Sequence, residues 1–188
     1  MTARLALVCH GSTDAVRRAA FPLDEPLDDS GKRRAADLAG HLANFECCWT
    51  SPELRARQTA EALGLSAIVQ PMLRECSYGR WAGKTFSKIA ADDPHAASAW
   101  LLDPAAAPHG GEAVVELIKR VAIWLADEQA RERRTITITH STIIRAALVH
   151  IIAAPPQSFW RIDIAPLSVT RFSGKDGRWN VICVGCAL

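Results

Sequence analysis

Apolar runs of strand length alternate along this chain with longer stretches of helical period. The first, a strand predicted from Arg4 to Cys9, runs directly into His10-Gly11-Ser12-Thr13. Further strands are predicted at Glu46 to Thr50, Ala67 to Gln70 and Thr135 to Thr139, and two more at Ser168 to Phe172 and Asn180 to Val184. Gly174-Lys175-Asp176-Gly177, between the last two, has the turn chemistry of a hairpin. Ser30 is placed to cap a helix from Lys32 to about Asn44, and Ser51-Pro52 opens another with Pro at its first position. Gly110-Gly111 precedes a long amphipathic helix reaching roughly Glu132. One more helix begins just after His140, and Pro155-Pro156 stops it. Strands alternating with helices read as βαβ units, so the pattern predicts an α/β fold with a mainly parallel sheet covered on both faces. Residues 78–108 are the least regular part and read as a cap-like insertion over the sheet's carboxyl edge.

The 188 residues are most simply one domain, and 49% hydrophobic with 22% charged residues is ordinary for a globular chain. A net charge of +2 gives no reason to expect nucleic acid or an acidic membrane as partner. There is no run of about 18 apolar residues, no secretory signal is expected, and the cysteines sit mostly inside apolar runs. A cytoplasmic protein is the expectation.

The candidate chemistry gathers at strand ends. His10 and His140 each follow a strand, and in an open α/β sheet ligands bind at the carboxyl ends of strands. Either histidine alone reads as a buried imidazole bonded to a backbone carbonyl; two at one edge read as a shared site. Gly11 permits a sharp turn, and the amides and hydroxyls of Gly11, Ser12 and Thr13 offer an anion cradle. Arg55 falls in the first turn of the helix after Ser51-Pro52, where helix dipole and guanidinium both favour phosphate. Arg57 fits a solvated helix face better. Glu75, between Arg74 and Arg80, is either a surface ion-pair partner or, beside two histidines and Arg55, a general acid and base. Arg145, five residues beyond His140, is expected to lie along its helix and away from the site.

Three other patterns fail on spacing or context. A cysteine-dependent phosphatase needs an arginine six positions after Cys9, where Ala15 stands. Gly79-Arg80-Trp81-Ala82-Gly83-Lys84-Thr85 is one residue short of a P-loop and follows no strand. Cys183-Val184-Gly185-Cys186 ends a strand and lacks the two further ligands of a zinc site.

The order of motifs is a histidine after strand one, Ser51-Pro52-x-x-Arg55-x-x-Gln58-Thr59, Leu73-x-Glu75-x-x-x-Gly79-x-Trp81-x-Gly83, then a strand ending in His140. This order resembles the histidine phosphatase superfamily, the phosphoglycerate mutase-like proteins, over nearly the whole chain. The resemblance implies a three-layer α/β/α sandwich and phosphomonoester hydrolysis with no metal and no cofactor. It implies that His10 becomes a phosphohistidine, that Arg55 binds phosphate, and that His140 with Ser141 stabilises the transferring group. Glu75 would protonate the leaving oxygen and then activate water. The partner is a small phosphorylated substrate; a mutase-type phosphoryl transferase is the second enzyme reading.

The family's first motif carries an arginine before the histidine, and here that residue is Cys9. Losing one charge-assisted hydrogen bond of roughly 1.5–3 kcal/mol predicts about ten- to hundredfold weaker phosphate binding. A non-catalytic phospho-ligand binding protein is therefore the alternative outside enzymes. Arg17 or Arg80 is expected to restore the missing charge, Trp81 to wall the pocket, and Arg74, Lys84 and Lys88 to welcome anionic groups. Of the remaining histidines, His109 is the one placed to reach the mouth of the site.

Overall fold

A computed structural model of the chain describes residues 2–42, 44–130 and 133–188. It is an α/β fold of six strands: β1 (Ala3–Cys9), β2 (Cys47–Thr50), β3 (Ile68–Val69), β4 (Arg134–Thr139), β5 (Ser168–Lys175) and β6 (Arg178–Ala187). Their order in the sheet is β3-β2-β4-β1-β5-β6. The first four are mutually parallel, and β5 and β6 close one side as an antiparallel hairpin.

Alternation along β1 and β4 makes the layers. Leu5, Leu7 and Cys9 face one core, and Ala6 and Val8 face the other with Ile136 and Ile138 of β4. The second core is closed by α3 (Leu54–Ala62), through Ala56 and Ala60, with α2 (Asp29–Asp37) beside it. The first is closed by α6 (Val114–Ala130) and α7 (Ser141–Ile151), which contribute Leu117, Val121, Trp124, Ile143 and Ile144. Strands buried on both faces read as near-continuous apolar runs, which is why β1 is so plain in the sequence.

Several boundaries differ from those expected. Asp28, not Ser30, caps α2, accepting from the Gly31 amide at 2.7 Å and from Ser12 Oγ at 2.8 Å. That helix stops at Asp37 because Gly40 takes φ +82°, the left-handed conformation that ends helices. The third helix begins at Leu54, with Glu53 in extended conformation before it, so Pro52 lies outside. The predicted end near Glu132 lies outside the described residues. The last hairpin turns on Asp176-Gly177, both at positive φ, so Gly174 and Lys175 belong to β5. Residues 78–108 hold more regular structure than expected: a 3₁₀ turn at Gly79–Trp81, α4 (Phe86–Asp92) and α5 (Pro94–Leu102), with Ile89 and Trp100 buried in the first core. The four-residue α1 (Asp14–Arg17) follows the first strand's loop. Among the described residues no helix is long and apolar enough to cross a membrane.

Gly31 lets α2 approach the loop that leaves β1. A Cβ there would fall 2.4 Å from Ser12 O and 2.9 Å from Ser12 N. Gly31→Ala is expected to cost about 1–3 kcal/mol, read as a lower denaturant midpoint at unchanged slope.

Candidate active site

Parallel pairing of β1 with β4 brings together residues 130 positions apart. Cys9 pairs with Thr139, and the His10 amide donates to Thr139 O at 2.9 Å. The two histidines that follow these strands therefore stand side by side, with ring centroids 5.2 Å apart. On the other side of β4, the Ser51 amide donates to Ile138 O at 2.9 Å, which sets the start of α3 at the same edge.

His10 is 5% exposed, and its Nδ1 lies 2.7 Å from Gly11 O. A carbonyl can only accept, so Nδ1 carries the proton and Nε2 is the unprotonated nitrogen, with a lone pair that accepts. Burial, then the charges of His140 and Arg55, push its pKa down to about 3, so the imidazole is neutral at ordinary pH. Arg55, 1% exposed, donates from Nε to this Nε2 at 3.3 Å, from Nη1 to Leu23 O at 2.8 Å and from Nη2 to Glu75 Oε2 at 3.3 Å.

Glu75 Oε1 accepts from the Cys76 amide at 2.9 Å and from Thr142 Oγ1. Burial works to raise its pKa, but attraction to His140 and Arg55 with these two bonds outweighs it and holds the carboxyl below its usual range. His140 is fully buried, with Nε2 2.7 Å from Ser51 Oγ and 2.9 Å from Glu53 Oε2, and Nδ1 3.3 Å from Glu75 Oε2. Glu53 Oε1 also accepts from the Glu75 amide at 3.2 Å. Burial opposes ionisation of Glu53 too, yet its bonds to His140 and Ser51 bring its pKa down to about 2. One carboxylate thus ties His140 to the backbone that carries Glu75.

Of these groups His10, Arg55 and Glu75 reach the floor of a cavity of about 270 Å³, lined there also by Ser141, Thr142 and Arg145. The fully buried His140 does not line it, nor does Glu53. Its walls are largely apolar, from Val16, Phe21, Tyr78 and Phe86, with Glu25 at one side. His10, Glu75 and His140 each present a ligand atom within 4.8 Å of the others, a donor set that a divalent metal accepts. The Arg55 guanidinium bonded to both His10 and Glu75 places a fixed positive charge among them, which favours an anion instead.

The site brings together His10, Arg55, Glu75, His140 and Ser141. It does not recruit the expected cradle. The Gly11 amide donates to Thr59 Oγ1 at 3.0 Å, Ser12 Oγ bonds Asp28, and Thr13 Oγ1 bonds Glu25 at 3.1 Å while capping α1 through Val16 N. Arg17 is exposed and paired with Asp14 at 3.1 Å and Asp28 at 3.3 Å, so it does not replace an arginine at position 9. Arg80 is exposed and outside the cavity, as are Arg74, Lys84 and Lys88; Arg74 pairs with Glu112 and Lys88 with Asp92. Trp81 is core, 3% exposed and packed on Trp100 and His109; Phe21, 5.4 Å from it, lines the cavity instead. His109 is buried in that aromatic cluster, its Nδ1 accepting from the Gly111 amide at 2.9 Å. Arg145, expected to point away, lines the cavity. Glu53 and Thr142 were not singled out; a carboxylate just before the Arg55 helix was the available signal for Glu53.

Cys9 is 3% exposed, buried in the core that α6 and α7 close. Burial and the Glu75 charge push its thiol up to about 12, so it is uncharged.

The profile of the histidine phosphatase superfamily (branch 1) matches residues 5–187. The chain is 30% identical to a bifunctional protein of Mycobacterium tuberculosis (strain ATCC 25618 / H37Rv), over 90% of this chain and 50% of that protein. It thus spans about half the length of the first curated relatives it matches. It is 32% identical to the glucosyl-3-phosphoglycerate phosphatase of the same strain, over 81% of this chain and 76% of that one. A solved structure described as mycobacterial hydrolase 1 superposes with a TM-score of 0.89 at 28% identity, covering 100% of both chains. With this architecture, this edge of the sheet and this profile match, the chain belongs to the histidine phosphatase superfamily, branch 1.

Proposed function

We propose that the chain hydrolyses small phosphate monoesters through a phosphohistidine on His10, without a metal. The observation that carries this reading is a neutral imidazole on His10 that lines the cavity with Arg55 and Glu75, its unprotonated Nε2 held by a long 3.3 Å bond from Arg55 Nε. The similarity to glucosyl-3-phosphoglycerate phosphatases supports a phosphorylated metabolite as substrate.

The chemistry follows from the charges. Glu75 is ionised in the free protein, and a phosphate group beside it raises its affinity for a proton. A monoester with a second pKa of about 6 brings that proton as its monoanion and hands it to Glu75. Nε2 of His10 then attacks phosphorus, the bond to the leaving oxygen breaks, and Glu75 returns the proton to that oxygen. In the second half Glu75 takes a proton from water as the water oxygen attacks phosphorus. The N–P bond breaks, its electron pair returns to Nε2, and inorganic phosphate leaves. Arg55 and His140, beside the reacting nitrogen, offset the charge that develops on the phosphoryl oxygens.

The segment 78–108 acts as the cap, walling the cavity through Tyr78 and Phe86. Apart from Arg55 and Arg145 on the floor, no Lys or Arg is among the described lining residues, which favours water over a second phosphorylated acceptor and hydrolysis over mutase transfer. One observation favours a weakened, ligand-binding variant of this reading: the uncharged Cys9 contributes nothing to phosphate.

The test is hydrolysis of an aryl phosphate in excess chelator, with rapid acid-free quenching of radiolabelled phosphoester. The expected result is chelator-insensitive turnover and a protein-bound label that is acid-labile and base-stable. Loss of turnover on chelation would overturn the proposal; saturable phosphate binding without turnover would support the ligand-binding variant.

A further inference from the structure

The geometry points to Arg145 as the guanidinium that receives the phosphoryl oxygens of the substrate in this chain, an inference that rests on the phosphatase reading above. A dianionic phosphate needs donors that are not already engaged. All three kinds of nitrogen in Arg55 already have protein partners, so beyond its charge it offers the phosphoryl oxygens few open donors. Among the residues lining the cavity, the one other cation is Arg145.

Its surroundings leave the fork available. Nε of Arg145 is buried with no hydrogen-bond partner among the described residues. Nη2 lies 3.6 Å from the carboxylate of fully exposed Asp163, a pair open to solvent and therefore weak. The guanidinium carbon sits 5.8 Å from the ring of buried Phe159, which supports one face of the group without using its donors. Arg145 is one turn beyond Ser141 on α7, and Ser141, Thr142 and Arg145 all line the floor. The N-terminal end of that helix, carrying its positive partial charge, points the same way.

Cys9 explains why the arginine arrives from α7. Leu5, Leu7 and Cys9 project from β1 toward the core that α7 closes, and the Arg145 charge on α7 is near enough to act on the Cys9 thiol. A short, uncharged thiol sets no charge against the Arg145 guanidinium. An arginine at position 9 would set a second cation against it. The charge supplied by the first motif in the family is thus delivered here by a helix packed on the side of the strand toward which position 9 projects.

The experiment is calorimetric titration of the purified protein with inorganic phosphate, which needs no turnover, alongside kinetics on an aryl phosphate. Arg145→Gln is expected to raise the phosphate Kd and the KM about 10- to 100-fold, and Arg145→Lys to fall between it and the native protein. Asp163→Asn, which removes the same ion pair, should change Kd by less than about twofold. The double variant Cys9→Arg with Arg145→Gln should regain at least part of the lost affinity. A Kd within about twofold of native in Arg145→Gln, or no saturable phosphate binding by the native protein, would overturn the inference. Failure of the hydrolysis reading appears separately, as absence of turnover while the phosphate titration still depends on Arg145.

Discussion

Replacing His10 with alanine should reduce aryl phosphate hydrolysis by at least about a thousandfold, because the other nucleophilic side chains near it are not activated, Ser141 lining the cavity with no base bonded to its hydroxyl among the described residues. The Cys9 thiol, held near 12, is protonated and buried in the core. Thr142 is engaged with Glu75, and Ser51 with His140 and Glu53. The fold should survive the change, since His10 makes its backbone bond through the main chain and its ring bonds only Gly11 O and Arg55. Circular dichroism and the phosphate titration would verify that. Retention of more than about a tenth of native activity would exclude His10 as nucleophile.

The same residue predicts a pH profile. An ordinary histidine nucleophile would lose activity as pH falls through about 6.5. With its pKa lowered to about 3, His10 stays neutral in the free protein across the usual range. The kcat/KM profile should therefore show no acid limb near 6.5. Stability has the matching sign. Between the folded value of about 3 and the unfolded value of 6.5, the unfolded chain binds the extra proton, so acid favours unfolding. Glu53 acts in the same direction at lower pH: ionised in the fold down to about 2, it stabilises the protein above 4.5 and loses that contribution as pH falls.

The framework of the site was legible because it rests on apolar alternation and strand ends, which local sequence controls. The strand runs before His10 and His140 are plain, and so is the existence of the helix bearing Arg55, though it starts at Leu54 and not at Pro52. What failed was side-chain direction, which depends on partners distant in the sequence. The hydroxyls of Ser12 and Thr13 look available for an anion until Asp28 and Glu25 are brought beside them. Trp81 and Phe21 are equally aromatic, and only packing decides that Trp81 is core and Phe21 is wall. Arg145 was misplaced by counting from His140. His140 is the N-cap, outside the helical rotation, whereas Ser141 is its first residue. Four positions from Ser141 is one turn, so both side chains share a face. Glu53 drew no notice because a helix opened by Pro52 makes it one more residue of the first turn; in the fold it precedes the helix, makes no cap bond and turns to His140 and the Glu75 amide.

Glu75→Gln should separate the two half-reactions that this carboxylate serves. Gln keeps the volume and can still meet the Cys76 amide and Thr142, but it neither gives nor takes a proton at the reacting oxygen. On an alkyl phosphate, whose leaving oxygen needs a proton, kcat is expected to fall by about 10²–10⁴ with little change in KM. On a nitroaryl phosphate the leaving oxygen departs unprotonated, so the first half-reaction should persist and the second, which needs an activated water, should slow. The variant should then show a burst of nitrophenol followed by slow turnover, with the protein-bound phosphoryl group accumulating. An equal loss on both substrates without a burst would assign Glu75 to holding Arg55 and His140 in place, its contacts at 3.3 Å to each being then its whole contribution.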